Sequence, residues 1–155
     1  FALLMSVLGP ADSAGAQPRQ DVGREEISLG LRVLVAEDNA INQKVIARML
    51  ERWGCRVDAA GNGREAVEMT EAISYDVVLM DCHMPELDGF ATTRHIRAMP
   101  GIAGQLPIVA LTAAAFEEDR RAAREAGMDD LVPKPFDLDR LRRVLDRWSS
   151  AAARV

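Results

Sequence analysis

Short apolar runs alternate with stretches of helical periodicity along most of the chain, from about residue 31 to residue 148. The first run, at 31–36, is almost continuously apolar and precedes two acids, which is typical of a strand buried on both faces. Apolar residues then recur at every fourth position, and they are Ile41, Val45, Met49 and Trp53. That spacing predicts a helix with one apolar face. Gly54 is expected to end the helix, because glycine is common directly after the last residue of a helix.

The same alternation recurs along the rest of the chain and indicates five strands and five helices in total. Further strands are predicted at 56–60, 77–80, 107–111 and 130–133. Helices are predicted at 64–73, 89–99 and 116–126, and a last one carries Leu138, Leu141, Leu145 and Trp148 on one face. An α/β fold follows, with a parallel sheet, right-handed crossovers and helices on both sides. Ligands of such open sheets bind beyond the carboxyl ends of the strands.

The first thirty residues differ from the rest of the chain. Residues 9–30 are rich in small, polar and charged residues without a sustained period, which is typical of a linker. The apolar run at 1–8 lacks the basic region and initiating Met of a signal peptide. It is also shorter than the roughly 20 apolar residues that span a bilayer. We therefore expect one domain at 31–149, followed by a short tail at 150–155.

Composition narrows the classes of function further. The 155 residues carry a net charge of −5, and no block of Lys or Arg dominates any segment. A general nucleic-acid-binding surface, which needs clustered positive charge, is therefore not expected. Two cysteines, Cys55 and Cys82, form neither a disulfide framework nor a metal-ligand cluster, which suits a reducing cytosol. We expect a cytoplasmic domain that makes no membrane contact of its own.

Residues that can bind a metal ion or take part in a reaction lie at the carboxyl ends of four predicted strands. Glu37 and Asp38 follow the first strand, Asp81 the third, Thr112 the fourth and Lys134 the fifth. Three carboxylates placed together are unfavourable unless a cation joins them or one of them takes a proton. Oxygen ligands with a high negative charge favour a hard divalent ion, so the sequence predicts a Mg²⁺ site at this edge.

The same residues suit the transfer of a phosphoryl group. A carboxylate can be the nucleophile that forms an aspartyl phosphate, while Mg²⁺ and the ammonium of Lys134 offset the charge of the transferred group. Thr112 could donate a hydrogen bond to a phosphoryl oxygen. Lys134 is one of only two lysines among 19 basic residues, and the other 17 are Arg. Lysine carries a compact charge and does not replace Arg freely at phosphate sites, so its use at this position is informative. Singly, the three acids and Thr112 have ordinary explanations as a solvated turn or a helix cap, but together with Lys134 they favour phosphoryl transfer.

Four segments resemble the signature segments of bacterial response-regulator receiver domains: 33–39 (VLVAEDN), 78–89 (VLMDCHMPELDG), 110–113 (ALTA) and 133–136 (PKPF). The resemblance runs from about residue 31 to residue 148, and four ordered motifs are far more specific than a single one. It implies a flavodoxin-like (βα)5 fold, which is a doubly wound parallel sheet with strand order 2-1-3-4-5. It also implies a place in a two-component phosphorelay.

The resemblance further implies how the acidic residues divide the chemistry. Asp81 is the expected phosphoacceptor. Glu37 and Asp38 are the expected acidic pair that holds Mg²⁺, with Asp81 and the main-chain carbonyl of His83 as further ligands. The chain itself would then be a phosphoacceptor module with slow self-dephosphorylation, so whether to count it as an enzyme stays open.

Other residues carry the implied response to phosphorylation. Thr112 is the expected switch hydroxyl, Lys134 is expected to pair with Asp81 or its phosphate, and the Lys134–Pro135 bond is expected to be cis. Receiver domains usually have Tyr or Phe three residues before this lysine, where the ring swings inward on activation. This chain has Leu131 there. We therefore expect its output to run through loop and helix movement rather than through an aromatic side chain.

The segment 37–45 (EDNAINQKV) is particularly similar to receivers attached to hybrid sensor histidine kinases. The apolar run at 1–8 resembles the end of a kinase ATP-binding domain, and we expect no DNA-binding output domain after the last helix. A receiver from a hybrid kinase is therefore the expected identity. Its expected partners are the histidine kinase dimerisation and phosphotransfer domain and a histidine phosphotransfer protein, with no nucleic acid bound through this chain.

Three alternatives stay open. The chain could be a stand-alone single-domain response regulator. It could be a haloacid-dehalogenase-like phosphatase, which also uses an Asp nucleophile with Mg²⁺, although such enzymes carry a second Asp two residues later and this chain has His83. It could also be a receiver-fold binding module that is never phosphorylated, although all five chemical positions are filled.

Overall fold

The computed structural model describes residues 28–113, 117–135 and 137–153, along which strands and helices alternate. The strands are β1 (Arg32–Ala36), β2 (Arg56–Ala60), β3 (Val77–Asp81), β4 (Ile108–Thr112) and β5 (Asp130–Pro133). The α-helices are α1 (Ala40–Arg52), α2 (Gly63–Ala72), α3 (Gly89–Arg97), α4 (Glu117–Ala126) and α5 (Leu138–Ala153), and a 3₁₀ helix (Gly101–Gln105) precedes β4. The predicted segment at 1–8, most of the predicted linker and the predicted helix start at residue 116 lie outside the described residues. None of the described helices is long and apolar enough to cross a bilayer.

All five strands are parallel and pair in the order β2-β1-β3-β4-β5, which confirms the predicted α/β fold and strand order. β1 lies between β2 and β3, so Leu34 aligns with Asp58 on one side and with Val78 on the other. The strand order therefore reverses at β1, and helices pack on both faces of the sheet. Because every strand runs in the same direction, all the carboxyl ends meet at one edge.

Successive side chains of each strand point to opposite faces of the sheet and build two cores. One core joins the sheet to α1 and α5, and its members include Val33, Val35, Leu79, Ile46, Leu50, Leu141 and Leu145. The other core joins the sheet to α2, α3 and α4, and its members include Leu34, Val78, Ile108, Ala66, Ile96 and Ala123. Every residue of β3 and β4 is buried, which explains why both strands are apolar up to their last residues, Asp81 and Thr112.

Helix α1 corrects the prediction of a single apolar face. Ile46 and Leu50 face the core, whereas Ile41 and Val45 are 72% and 44% exposed. A four-residue step turns an α-helix by about 40° more than one full turn. The predicted face therefore winds around the helix, from solvent at Ile41 to the core at Trp53, and the prediction is wrong for Ile41 and Val45.

The predicted face of the last helix needs a smaller correction. Leu141 and Leu145 are fully buried, but Leu138, the first residue of α5, is 48% exposed. Leu138 lines an open groove with Met49 and Trp53 of the α1 side instead of packing between helix and sheet. The core contacts of α5 therefore begin one turn later than the sequence predicts.

One side chain joins four elements at the amino edge of the sheet, opposite the carboxyl ends. The Arg97 guanidinium donates to the carbonyl oxygens of Gly104 (3.1 Å), Leu106 (2.6 Å) and Gly127 (2.9 Å) and to the Asp129 carboxylate (2.8 Å). Asp129 also accepts a hydrogen bond from the N–H of Ile108 at 2.8 Å. The ends of α3 and α4 are thereby tied to the starts of β4 and β5.

Candidate functional site

Three carboxylates converge at the carboxyl edge of the sheet. Asp81 is the last residue of β3, and Glu37 and Asp38 directly follow β1, the strand that pairs with β3. One carboxylate oxygen from each residue lies within 4.8 Å of the other two. Glu37 and Asp81 are only 1% and 4% exposed, whereas Asp38 is open to solvent. The structure thus brings together the three acids that the sequence places at strand ends.

Lys134 extends from the end of β5 to the same carboxylates. Its Nζ is 2.8 Å from Glu37 Oε2 and 3.4 Å from Asp81 Oδ2. Its main-chain N–H donates at 2.6 Å to the carbonyl oxygen of Thr112, the fully buried last residue of β4. The Lys134–Pro135 peptide bond is cis, as the resemblance implies. The five residues at the strand ends therefore lie at one edge, with the lysine closer to Glu37 than to Asp81.

Burial and pairing shift the pKa values of these groups in different directions. Burial raises the pKa of Glu37, but the hydrogen bond and charge of Lys134, together with hydrogen bonds from Asn39 and Asn42, outweigh it, so this pKa lies below its ordinary value. Burial also raises the pKa of Asp81, and the Glu37 charge adds to the rise against a hydrogen bond from the His83 N–H and the Lys134 charge. Burial lowers the pKa of Lys134, but Glu37 and Asp81 raise it by more. Of the two buried carboxylates, Asp81 is therefore the one whose pKa lies above its ordinary value.

The donor set fits a small divalent cation. Three carboxylates and one ammonium leave an excess of two negative charges in the cluster when all of them are ionised. All the side-chain donors of the cluster are oxygens, which are the ligands that Mg²⁺ prefers. Charge and chemistry thus both match the predicted magnesium site.

The sequence profile of the response regulator receiver domain matches residues 33–146, which include every residue of this site. The chain belongs to the response regulator receiver domain family. It is 41% identical over 151 residues to the two-component system protein A of Emericella nidulans. That alignment covers 92% of this chain but only 22% of the relative. The receiver domain therefore corresponds to about a fifth of the length of this curated relative.

Solved structures show the same fold. The receiver domain of the sensor histidine kinase PA1611 from Pseudomonas aeruginosa, whose active-site cleft holds a magnesium ion, has a TM-score of 0.72 at 45% identity, covering 78% of this chain and 98% of that one. The receiver domain of Ssk1 from Saccharomyces cerevisiae, crystallised with the histidine phosphotransfer protein Ypd1, has a TM-score of 0.73 at 29% identity, covering 80% and 92%. These findings confirm a flavodoxin-like receiver domain of two-component signalling. They overturn the phosphatase alternative.

The loop after β3 packs tightly against Asp81 in this receiver domain. The N–H of His83 donates to Asp81 Oδ1 at 3.2 Å, which places the His83 backbone beside the carboxylate. A Cβ at Gly89 would collide with the carbonyl oxygen of Asp81, so only glycine fits at the start of α3. Asp88 caps that helix by accepting a hydrogen bond from the Ala91 N–H at 2.8 Å. The Asp88–Gly89 pair therefore holds the loop close to the site.

Leu131 occupies the position where receiver domains usually have an aromatic residue. Its side chain is 9% exposed and packs in the core that faces α3 and α4. Helix α4 contributes only two buried side chains, Ala123 and Ala126. The exposed His83 imidazole lies 3.9 Å from the carboxylate of Asp119 in the first turn of α4. Within the described residues 117–126, little apolar surface thus holds α4 to the rest of the receiver domain.

Two side chains of α1 support the site although no motif assigns them a role. Asn42 Nδ2 donates to Glu37 Oε1 at 3.4 Å. Gln43 Nε2 donates to the main-chain carbonyl oxygens of both Glu37 and Ala60, and so ties α1 to the ends of β1 and β2. The signal that could have pointed to them is their place in the segment 37–45, directly after the acidic pair.

Proposed function

We propose that this receiver domain accepts a phosphoryl group on Asp81 from a phosphohistidine, in a reaction that needs Mg²⁺, and signals through the conformational change that follows. The main support is the convergence of Glu37, Asp38 and Asp81 on one point, with Lys134 paired to two of them. Burying several like charges lowers stability unless a cation offsets them. Such a cluster is therefore better explained by its chemistry than by a contribution to folding.

Asp81 is the nucleophile in this proposal. One of its oxygens attacks the phosphorus as the P–N bond of the phosphohistidine breaks, and the electron pair of that bond stays on the imidazole, which takes a proton from solvent. Asp81 must be ionised to attack, and the Lys134 ammonium 3.4 Å away favours the ionised form. After transfer, Lys134 pairs with the phosphoryl oxygens, and the Thr112 hydroxyl is the group expected to donate to one of them.

Glu37, Asp38, Asp81 and the main-chain carbonyl of His83 are the groups that would hold Mg²⁺. When bound, the ion offsets the charge of the transferred group and offers coordination positions to its oxygens. Glu37 is already oriented by the N–H of Asn39 at 3.2 Å and by Lys134 at 2.8 Å. Glu37, one member of the acidic pair, is therefore held in place by the chain's own hydrogen bonds.

We also propose that the receiver domain is part of a hybrid sensor histidine kinase in the cytoplasm. The support is the likeness to the receiver of a sensor histidine kinase and the greater length of the curated relative. The kinase dimerisation and phosphotransfer domain then supplies the phosphate, and a histidine phosphotransfer protein takes it on. Reading the gene upstream of Phe1 tests this: an in-frame kinase core is expected, and its absence would favour a stand-alone regulator.

Labelling with a small phosphodonor tests the role of Asp81. With acetyl phosphate and Mg²⁺, the wild-type chain is expected to gain one phosphoryl group, measured by intact-protein mass, and Asp81→Asn is expected to gain none. Asp139→Asn changes an exposed carboxylate of α5 and is the matched control, expected to label normally. Chelation of Mg²⁺ with EDTA is expected to stop the reaction. Stoichiometric labelling of Asp81→Asn would refute the assignment, and an unlabelled wild type would favour the module that is never phosphorylated.

A further inference from the structure

Gln43, in the first turn of α1, joins the ends of two strands beside the carboxylate cluster. Its side-chain amide donates to the main-chain carbonyl oxygens of Glu37 and Ala60, at 2.5 Å and 3.4 Å. The Ala60 carbonyl oxygen also accepts a hydrogen bond from the Glu37 N–H at 3.0 Å. The main chain of Glu37 is therefore bound to the end of β2 through its N–H and to α1 through its carbonyl oxygen.

The hydrogen bond to the Glu37 carbonyl oxygen bears directly on Asp38. That carbonyl belongs to the planar peptide group between Glu37 and Asp38, so holding it also fixes the position of the Asp38 Cα. The Asp38 carboxylate is exposed, and no residue in the described part of the chain donates a hydrogen bond to it. The position of Asp38 relative to Asp81 therefore depends on the main chain that Gln43 holds.

The Glu37 side chain is held by a separate set of donors. Oε1 accepts from the Asn39 N–H at 3.2 Å and from Asn42 Nδ2 at 3.4 Å, and Oε2 accepts from Lys134 Nζ at 2.8 Å. The first turn of α1 contains no acidic residue, although acids are favourable at the start of a helix. The amides of Asn42 and Gln43 lie there instead and donate to the side chain and to the main chain of Glu37.

Carboxylates that are held at fixed positions can select a cation by its size. Mg²⁺ requires near-ideal octahedral geometry with oxygens at about 2.0–2.1 Å, whereas Ca²⁺ accepts oxygens at about 2.3–2.6 Å in more flexible arrangements. Carboxylates that are free to shift satisfy the strict geometry of Mg²⁺ less well, but they still suit Ca²⁺. Loosening the main chain between Glu37 and Asp38 is therefore more harmful to the binding of Mg²⁺ than to the binding of Ca²⁺.

We propose that Gln43 is the positioning residue that makes the acidic pair select Mg²⁺ over the larger Ca²⁺. This role rests on the Mg²⁺ requirement proposed above. Gln43 acts through the main chain of Glu37 and leaves the carboxylates themselves to the ion. Removing a group that orients metal ligands typically weakens the binding of the metal by about 10–100-fold. Loss of the Gln43 amide is therefore expected to weaken the binding of Mg²⁺ and to reduce the preference for it.

Gln43→Met tests this role, because methionine has a similar length and helix propensity but no N–H to donate. Gln105→Met changes an exposed glutamine of the 3₁₀ helix before β4 and is the matched control. Isothermal titration calorimetry of the unphosphorylated chain measures the Kd of Mg²⁺ and the Kd of Ca²⁺ separately. For Gln43→Met, we expect the Kd of Mg²⁺ to rise about tenfold and that of Ca²⁺ to rise less than about threefold. The control is expected to keep both wild-type values.

A second variant, Gln43→Asn, keeps an amide but withdraws it from the two carbonyl oxygens by one methylene group. It is expected to lose the preference for Mg²⁺ in the same way, and it decides the test if circular dichroism shows that Gln43→Met does not fold. Labelling by acetyl phosphate at increasing Mg²⁺ gives an independent measurement. The half-saturating Mg²⁺ concentration is expected to rise about tenfold in both variants, while the rate at saturating Mg²⁺ stays within about twofold of the wild type.

Each remaining outcome has a distinct meaning. Equal weakening of Mg²⁺ and Ca²⁺ binding in the Gln43 variants would show that Gln43 only ties α1 to the sheet, and would overturn its role in selection. Unchanged Kd values for both ions would overturn that role as well and leave the function of Asp81 standing. A wild type that binds Ca²⁺ as tightly as Mg²⁺ would show that the acidic pair makes no such selection. A wild type that binds no Mg²⁺ would overturn the Mg²⁺ requirement itself, together with the role of Gln43.

Discussion

Replacing Lys134 by Met removes the ammonium that pairs with Glu37 and Asp81 and keeps most of the side-chain volume. In this variant the Glu37 side chain, which is 2% exposed, no longer has the Lys134 ammonium as its partner. It keeps hydrogen bonds from the Asn39 N–H at 3.2 Å and from Asn42 at 3.4 Å, but neither donor carries a charge. Without Mg²⁺, the folded state therefore holds a buried anion that the unfolded chain exposes to water, and the free energy of unfolding falls.

The size of the loss follows from burial. Removing one partner of a buried ion pair costs about 3–5 kcal/mol, whereas an exposed pair contributes about 0–1 kcal/mol. Glu37 is buried, but the Lys134 side chain is 19% exposed and partly solvated, which places the expected loss at the lower end, about 3 kcal/mol. Domains have free energies of unfolding of about 5–15 kcal/mol, so the variant is expected to fold but to unfold at a lower urea concentration.

The loss depends on pH with a defined sign. Lys134 lowers the pKa of Glu37 in the folded state, so this stabilisation is present above the unfolded pKa and is lost as pH falls through the folded pKa. The folded-state pKa of Lys134 is raised, so its stabilisation is present below the unfolded pKa and is lost as pH rises through the folded pKa. The difference between the wild type and Lys134→Met is therefore expected to be largest between about pH 5 and pH 10, and to shrink on either side.

Urea unfolding in EDTA, followed by circular dichroism, measures this loss. Lys44→Met is the matched control, because Lys44 is the only other lysine and is exposed, and a change below about 0.5 kcal/mol is expected for it. Added Mg²⁺ is expected to return much of the lost stability to Lys134→Met, because a cation that binds only the folded state stabilises it. A loss below about 1 kcal/mol in EDTA would show that solvent screens the carboxylates and would refute the reasoning.

Two further predictions concern the switch region. Gly89→Ala drives a Cβ against the Asp81 carbonyl, so we expect about 2 kcal/mol less stability in urea and slower labelling by acetyl phosphate. Gly61→Ala, where a Cβ meets only ordinary contacts, is the control, and equal behaviour of the two variants would show that the loop has room. The buried Leu131 side chain is expected to keep its rotamer between crystal structures of the unmodified and beryllofluoride-bound domain. A large change in the Leu131 rotamer would show that this side chain transmits the signal, as the aromatic residue at this position does in other receiver domains.

The strands and their chemical end residues could be predicted because both depend on properties that a sequence displays directly. The buried runs of β1, β3 and β4 are continuous in apolar residues, and each stops at the residue that carries chemistry. Parallel pairing then brings the ends together whatever the details of the loops. This is why Glu37, Asp38, Asp81, Thr112 and Lys134 could be assigned to one edge before any contact was known.

The orientation of α1 could not be predicted in the same way. Its two apolar rows, one through Ile41 and Val45 and one through Ile46 and Leu50, look alike as sequence, and only the packing decides which row faces the sheet. A spacing of four also differs enough from 3.6 residues per turn to move a row around the helix. Contacts such as that of Gln43 with two carbonyl oxygens depend on rotamers, which spacing does not determine.

Arg97 holds the C-terminal end of α4 in place by hydrogen bonds. Its guanidinium holds the carbonyl oxygen of Gly127, the residue after the helix, and the carboxylate of Asp129 just before β5. Sliding α4 along its axis would break these hydrogen bonds, whereas tilting it about Gly127 keeps them. Since only Ala123 and Ala126 are buried along the helix, tilting disturbs little packing. Asp119 lies in the first turn of α4, far from Gly127. A force on the helix near Asp119 would therefore displace its first turn more than the residues next to Gly127.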